Sequence, residues 1–348
     1  MSSKKRVYVG LSGGVDSSVA AALLKQQGYD VTGVYMKNWT KNIPGFECPW
    51  KDDFTDAKRV AVQLGIPFKV FDFEKQYQEK VVDYMIDGFK LGITPNPDIM
   101  CNQEIKFKLF LDASIEDGAD FIASGHYART KNGQLLRAKD ENKDQTYFLY
   151  RVSKAALTKT LFPIGDYTKD EVRAMAAKLN LVTARKKESM GICFVGKVGI
   201  KEFLAQYVAT KPGNILDQFG RIIGEHDGAL FYTIGQRHGL NVGGGLPYYV
   251  TGKDMKKNEV YVTSNIDDES LWQQDCTLAS LHWIGDIPKK NSKLQVRTRH
   301  RASLEPCTVD FKDNVAKLNF DNQIRALTPG QSAVLYDGQL VLGGGIIS

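Results

Sequence analysis

A chain of 348 residues with 43% hydrophobic, 25% charged and 10% aromatic residues has an ordinary globular make-up. That excludes a disordered, collagen-like or coiled-coil protein, and a length more than twice the usual ~150 residues per domain predicts two or three domains. The net charge of +6 is weak evidence for a polyanionic partner, but the excess of base falls within the first 205 residues and is densest over 129–159 and 169–201, where surfaces suited to phosphate backbones are expected.

No run approaches ~18 apolar residues, and MSSKKRVYVG enters a strand pattern without the apolar core of a signal peptide, so the expectation is a cytoplasmic protein with no membrane contact. Over the first 125 residues, short apolar runs at 6–11, 31–36, 68–73 and 120–124 alternate with helix-length amphipathic stretches. Such alternation is the pattern of a parallel sheet flanked by helices, an α/β class. The first crossover helix is VDSSVAAALLKQQG, with Val15, Val19, Ala22 and Leu23 at helical spacing and Gly28 as its stop. Residues 77–91 and 103–116 read as later helices, and Thr168-Lys-Asp-Glu171 is a capping-box pattern opening another that reaches about Leu179.

From about Gly196 the pattern shifts to glycine-rich turns between short segments. The expected division is a catalytic domain over 1–205, a small central module over 206–268 and a C-terminal β-barrel-like domain over 269–348, the last built from short strands at regular spacing.

The sharpest local feature is Gly10-Leu11-Ser12-Gly13-Gly14-Val15-Asp16-Ser17-Ser18, between the first strand and the first helix. Adjacent glycines permit a tight turn that exposes successive N–H groups, and the helix start adds more together with the positive end of its dipole, a concavity suited to phosphate. The lysine of a Walker A loop and the dinucleotide fingerprint are both missing. Ser-Gly-Gly-Val-Asp-Ser resembles the PP-loop of ATP pyrophosphatases, whose members release pyrophosphate while attaching AMP to a substrate oxygen.

The five cysteines, Cys48, Cys101, Cys193, Cys276 and Cys307, are far apart and form no C-x-x-C pair, so no metal site is expected from them. Cys101 follows the proline-braced Asn96-Pro97-Asp98 and lies near a predicted helix start, a place that favours thiolate. Cys193 lies between glycines shortly after Arg185, Lys186 and Lys187. Cys276 and Cys307 fall in strand-like runs and read as core, and Cys48 reads as part of a surface loop. Asp98 admits two readings, general acid/base or local cap, as does Asp16, which either organises its loop or helps to hold magnesium.

Taken with TPNPDIMCNQEIKF, ASGHYAR, KDQTYFL, GICFVG, YTIGQRHGL and PGQSAVLYDG, the loop makes the chain similar to the bacterial tRNA-specific 2-thiouridylases over nearly its whole length. The resemblance implies ATP binding at Gly10, Leu11, Ser12, Gly13, Gly14, Val15, Asp16 and Ser17, with Met36 beside the adenine and Gly125 completing the pocket. It implies that Asn96, Pro97 and Asp98 meet the target uridine, that Cys101 is the nucleophile and that Cys193 carries a persulfide. It implies tRNA contacts at His126, Lys143, Asp144, Gln145, Arg299, His300 and Gln331, although the family pattern has an aromatic at the place of His300.

The implied partners are tRNA and a cysteine desulfurase or sulfur-relay protein, and the implied cofactors are ATP and Mg2+. Two other readings remain open at this stage: an AMP-forming amide synthetase on the same loop, and a nucleotide-sensing tRNA-binding protein without turnover.

Overall fold

The structure is a computed structural model and describes residues 4–42, 47–187, 199–240, 242–243, 245, 247–312 and 314–348. The first part alternates β1 (Arg6–Gly10), α1 (Val15–Gln26), β2 (Asp30–Lys37), α2 (Trp50–Leu64) and β3 (Phe68–Asp72). Next comes a long helical run, α3 (Glu74–Tyr77) and α4 (Asp83–Lys90) joined by the π-wound turn Gln78–Val82. A second run has α5 (Pro97–Met100) and α6 (Phe110–Glu116) joined by the π-wound Cys101–Leu109. After β4 (Phe121–Ala123) come the hairpin β5 (Arg129–Lys131) and β6 (Gln134–Leu136), then α7 (Lys154–Thr158), β7 (Thr160–Leu161) and α8 (Lys169–Lys178).

The strands β3-β2-β1-β4-β7 form one sheet, parallel throughout. Val7, Tyr8 and Val9 of the central β1 are all buried, as expected of a parallel strand covered on both faces. The stripe Ala57, Val60 and Ala61 of α2 packs with Val7 and Val9 on one face, and Tyr8 joins Val81, Met85, Ile105 and Phe110 on the other. The chain steps outward from β1 through β2 to β3 and then returns to place β4 on the other side of β1. Open α/β sheets bind ligands in the crevice at such a reversal, outside the carboxyl ends of the strands.

After α9 (Ile200–Leu204), the strands β8 (Gly213–Leu216), β9 (Ile222–His226), β10 (Tyr249–Asp254) and β11 (Glu259–Thr263) form a small sheet in the order β10-β11-β8-β9, around Ile215, Val250, Val260 and Val262. The last strands are β12 (Trp272–Trp283), β13 (Ser292–Arg297), β14 (Glu305–Lys312), β15 (Val315–Arg325), β16 (Ser332–Asp337) and β17 (Leu340–Ile347). They run in the order β12-β15-β14-β13-β16-β17, and pairing of β12 with β17 closes a six-stranded antiparallel barrel. Alternate residues point inward, as Val309, Phe311, Leu318 and Phe320 illustrate in the barrel core.

One feature was not foreseen and one expectation needs correction. The hairpin β5–β6 lies early in the chain, yet β6 pairs with β17 (Leu136 opposite Leu340, Leu135 opposite Val341), so the barrel sheet continues into eight strands. Two three-residue strands carry too little alternation to be read from sequence; burial of Leu135 and an available barrel strand decide the pairing. Cys48 is not on the surface but buried, its Sγ 3.8 Å from the Trp39 carbonyl. Cys276 and Cys307 are core residues, and burial pushes each thiol up to about 12. Among the described residues no helix is long and apolar enough to cross a membrane.

Candidate active site

The Gly10–Ser18 loop leaves β1 with the Leu11 amide still bonded to the Val34 carbonyl (2.8 Å) and turns at Gly13, whose φ is +74°. A Cβ at Gly13 would collide with the Asp53 carbonyl of α2, so both the turn and the approach of α2 require glycine. Gly14 caps α1 without any side-chain bond, which leaves the first amides of the helix for an outside acceptor such as phosphate. The hydroxyls shape the loop from beneath: Ser17 Oγ donates to the Gly14 carbonyl (3.1 Å) and accepts from the Ser12 amide (3.2 Å), Ser18 Oγ donates to the Gly14 carbonyl (2.7 Å), and Thr183 donates to Ser18 Oγ (2.9 Å). With Ser17 and Ser18 buried, exposed Ser12 is the hydroxyl left at the surface of the loop.

Gly125 follows β4 and lies against the loop; a Cβ there would sit 2.5 Å from the Ser17 nitrogen and 2.7 Å from the Asp16 carbonyl carbon. Met36 reaches Gly10 from β2, its Cε 2.9 Å from where a Cβ on Gly10 would be. The positions expected to hold ATP therefore meet at the reversal between β1 and β4. Asp16 Oδ1 accepts from the Tyr127 hydroxyl (3.0 Å) and from Lys169 Nζ (2.7 Å), and Lys169 also reaches Oδ2 (2.8 Å). Nearby, Lys186 pairs with Asp53 (2.9 Å) and Asp56 (2.7 Å) of α2. Burial draws the Lys186 ammonium down, but these bonds outweigh it and hold the group above its ordinary value. Among the described residues no three potential ligands cluster to hold a metal ion.

Asn96 caps α5, its Oδ1 accepting from the Ile99 amide (3.3 Å), and Pro97 takes the first helical position, where a missing N–H costs nothing. The helix thus starts earlier than residue 103, with Asn96 rather than Asp98 as its cap. Cys101 is buried in this run, where the winding widens, a form concentrated at functional sites. Asp98 and Cys101, three apart, share a helix face.

Burial raises the Asp98 carboxyl above its usual range, and the Lys106 ammonium partly counters this. His126 is buried between Phe107 and Phe162 (ring centroids 5.7 and 6.2 Å), and that burial, aided by Lys106, holds its pKa well below the ordinary 6.5. Its Nδ1 is 2.8 Å from Ser124 Oγ and its Nε2 3.5 Å from Lys106 Nζ. Lys106 therefore acts electrostatically on both Asp98 and His126. Cys193 lies outside the described residues.

The residues expected to meet RNA divide into two groups. Lys143 is half-buried, whereas the Asp144 carboxylate is enclosed, 3.3 Å from Arg297 Nη1 on β13 and 3.7 Å from Arg137 Nε, and accepts from the Thr146 amide and hydroxyl (3.0 and 2.8 Å). It faces the barrel rather than the surface. Gln145 Oε1 accepts from the Tyr127 amide (2.9 Å). On the barrel, Arg299 and Gln331 line a cleft of about 230 Å3 that also includes Trp272 and Arg325. His300 packs 4.4 Å from the Phe148 ring, and burial, with Arg301 and Arg297 adding, lowers it to about 4.

Gln331 also donates to the Thr94 carbonyl (2.8 Å), and the Thr94 amide to the Pro329 carbonyl (2.9 Å), while the Thr94 hydroxyl is 3.1 Å from that of Thr233. The stretch of chain leading to Asp98 and Cys101 is thereby fastened to both the barrel domain and the β9–β10 connection. Sequence reading missed Lys106, Tyr127 and Lys169, and noted Lys186 only as one of the basic residues before Cys193. Of the first three, Lys169 alone left a trace, as the first residue after the Thr168 cap, whose capping box with Glu171 is present.

A parallel sheet with a Ser-Gly-Gly-Val-Asp-Ser loop at its reversal point defines a PP-loop nucleotide-binding protein. Family models agree in layout: the tRNA methyl transferase HUP domain matches residues 5–197, the tRNA methyl transferase PRC-barrel domain residues 201–264, and the aminomethyltransferase beta-barrel domain residues 273–347. The tRNA-specific 2-thiouridylase MnmA of Bacillus velezensis is 47% identical over 350 residues, covering 98% of this chain and 94% of its own, and that of Enterococcus faecalis is 46% identical over 357 residues, covering 99% and 96%. The chain belongs to the tRNA-specific 2-thiouridylase family. Among solved structures, a 4-thiouridine synthetase–RNA complex with bound ATP matches with a TM-score of 0.39 at 17% identity, over 59% of this chain and 50% of that one.

Proposed function

We propose that the protein is a tRNA-uridine 2-sulfurtransferase that replaces the C2 oxygen of the wobble uridine in lysine, glutamate and glutamine tRNAs with sulfur. The observation that carries this reading is the meeting of the uncapped α1 start, Gly125 and Asp16 at the sheet reversal, in a chain nearly half identical to named 2-thiouridylases.

In this scheme the uridine O2 attacks the α-phosphorus of ATP, forming the adenylated base and releasing pyrophosphate to the Gly10–Ser17 loop. A cysteine desulfurase, directly or through a relay protein, supplies the outer sulfur of a persulfide on Cys193. The Cys101 thiolate then attacks Sγ of Cys193, forming a Cys101–Cys193 disulfide and expelling hydrosulfide. Hydrosulfide adds to C2, AMP departs with the former O2, and an external dithiol reduces the disulfide. Asp98, with its raised pKa, is the general acid/base for this exchange.

Mg2+ would enter on the phosphates of ATP, its usual mode. That suits a loop whose own carboxylate, Asp16, already carries Lys169, beside Asp53 and Asp56 that carry Lys186. Met36 sits beside the adenine, Asn96 and Pro97 beside the uridine, and His126, Lys143, Gln145, Arg299, His300 and Gln331 along the tRNA. Residues 1–205 form the catalytic unit, 206–268 a tRNA-binding module and 269–348 the barrel, all working in the cytoplasm.

The test is reconstitution with ATP, magnesium, desulfurase, cysteine, reductant and unmodified lysine tRNA, followed by mass spectrometry of the digested RNA. 2-Thiouridine should form with the native chain and be lost in Cys101→Ser and in Cys193→Ser, both of which keep ATP binding. Full activity in either variant overturns the two-cysteine scheme, and AMP formed without tRNA favours an amide synthetase instead.

A further inference from the structure

Two residues hold the Asp16 carboxylate, and each is bonded as well to the segment 140–145. Tyr127 donates its hydroxyl to Asp16 Oδ1 (3.0 Å), while its backbone exchanges two bonds with Gln145: the Tyr127 amide donates to Gln145 Oε1 (2.9 Å), and the Gln145 amide donates to the Tyr127 carbonyl (2.9 Å). Lys169 donates its ammonium to both Asp16 oxygens (2.7 and 2.8 Å), while its backbone amide donates to Asp140 Oδ2 (2.9 Å). The other oxygen of Asp140 accepts the amides of Asn142 and Lys143 (3.1 and 3.2 Å). On its far side the segment is fixed to the barrel through Asp144 and Arg297.

We propose that Tyr127 and Lys169 are positioning residues that couple the segment 140–145 to the pyrophosphate loop through Asp16, so that tRNA on the segment and ATP on the loop raise each other's affinity. The inference rests on the reading of Lys143 and Gln145 as RNA contacts. Asp16 is the second residue of α1, so the side chain gripped by Tyr127 and Lys169 belongs to the helical turn whose amides face the phosphate site. Both gripping residues are nearly enclosed, Tyr127 at 2% and Lys169 at 8% exposure, and close-packed surroundings transmit displacement rather than absorb it. A bracket with one foot on the RNA segment and one on the ATP loop links the two affinities, and linkage makes the effect equal in both directions.

Tyr127→Phe and Lys169→Gln remove the foot on Asp16 and keep the bonds to Gln145 and Asp140, which are made by backbone atoms. The measurement is the Kd of an ATP analogue with a methylene bridge between its α and β phosphates, on the full chain, with and without saturating unmodified lysine tRNA. In the native protein tRNA should tighten the analogue by about fivefold or more, the lower end of ordinary coupling. In each variant the ratio should fall to within about twofold of one, while the Kd for tRNA alone stays within about twofold of native. Lys169→Arg, which keeps a cation at Asp16, should recover most of the ratio.

A native ratio near one with tRNA bound, or a native-like ratio in Tyr127→Phe, overturns the proposal. If the native chain binds no tRNA, the RNA reading itself fails, and the tRNA titration alone reveals that. Should Lys169→Gln fail to fold, Tyr127→Phe, which deletes a single hydroxyl, still decides.

Discussion

Gly125 carries no functional group, yet the proposed ATP site depends on it. A methyl there would press on the Ser17 nitrogen and the Asp16 carbonyl, which are backbone atoms of the loop and its helix. Gly125→Ala should therefore weaken ATP binding by roughly 100-fold, the order expected when a binding group moves by about 1 Å, with little change in tRNA affinity; calorimetric titration checks both. His126 provides a second residue-level prediction. Its folded pKa is depressed by burial and by Lys106, so as pH falls below about 6.5 the unfolded chain takes up a proton that the folded chain refuses. Stability contributed by the neutral ring is present above that pH and is lost on acidification toward the depressed folded value, by up to about 1.4 kcal/mol per pH unit for one proton. Urea unfolding at pH 7.5 and 5.5 should show a smaller difference in His126→Phe than in the native chain.

At the scale of elements, the segment 140–145 is held by charge and hydrogen bonds rather than by apolar burial. Asp144 lies at zero side-chain exposure between Arg297 and Arg137, and removing one partner of a buried pair leaves the other uncompensated. Asp144→Asn should cost about 3 kcal/mol in urea unfolding, and a loss below about 1 kcal/mol would mean that the arginines find other partners. The regular elements were readable beforehand: β1, β2 and β3 from their apolar runs, α8 from its capping box, and the glycine turn between β1 and α1 from its adjacent glycines. The hairpin β5–β6, the π-wound turns and the buried place of Cys48 were not, because each is decided by packing with residues far away in sequence. Likewise Lys106, Tyr127 and Lys169 are unremarkable letters in the chain, and acquire meaning only through the carboxylates and ring that the fold brings to them.

For the whole molecule, Thr94 joins three structures at once, the approach to the helical run that carries Cys101, the barrel domain at Pro329 and Gln331, and the β9–β10 connection at Thr233. Gly330 makes this approach possible: its φ is +91°, and a Cβ there would lie 2.9 Å from the Thr94 nitrogen. Gly330→Val should loosen the barrel from the rest, lowering thiolation while leaving ATP binding within about twofold, since the Gly10–Ser18 loop proposed to hold ATP lies on the other sheet. A fragment ending at residue 205 should self-associate in light scattering, because it lacks β17, the partner of β6, and exposes an unpaired strand edge.

The shared sheet also bears on how the chain is made. β6 ends at Leu136 and its partner β17 ends at Ile347, so at ~5–20 residues per second a ribosome exposes the hairpin for roughly 10–40 s before the strand that covers it exists. The amino-terminal half of this enzyme therefore completes its surface only as the last residues emerge, and truncated or stalled translation products carry the sticky edge with them.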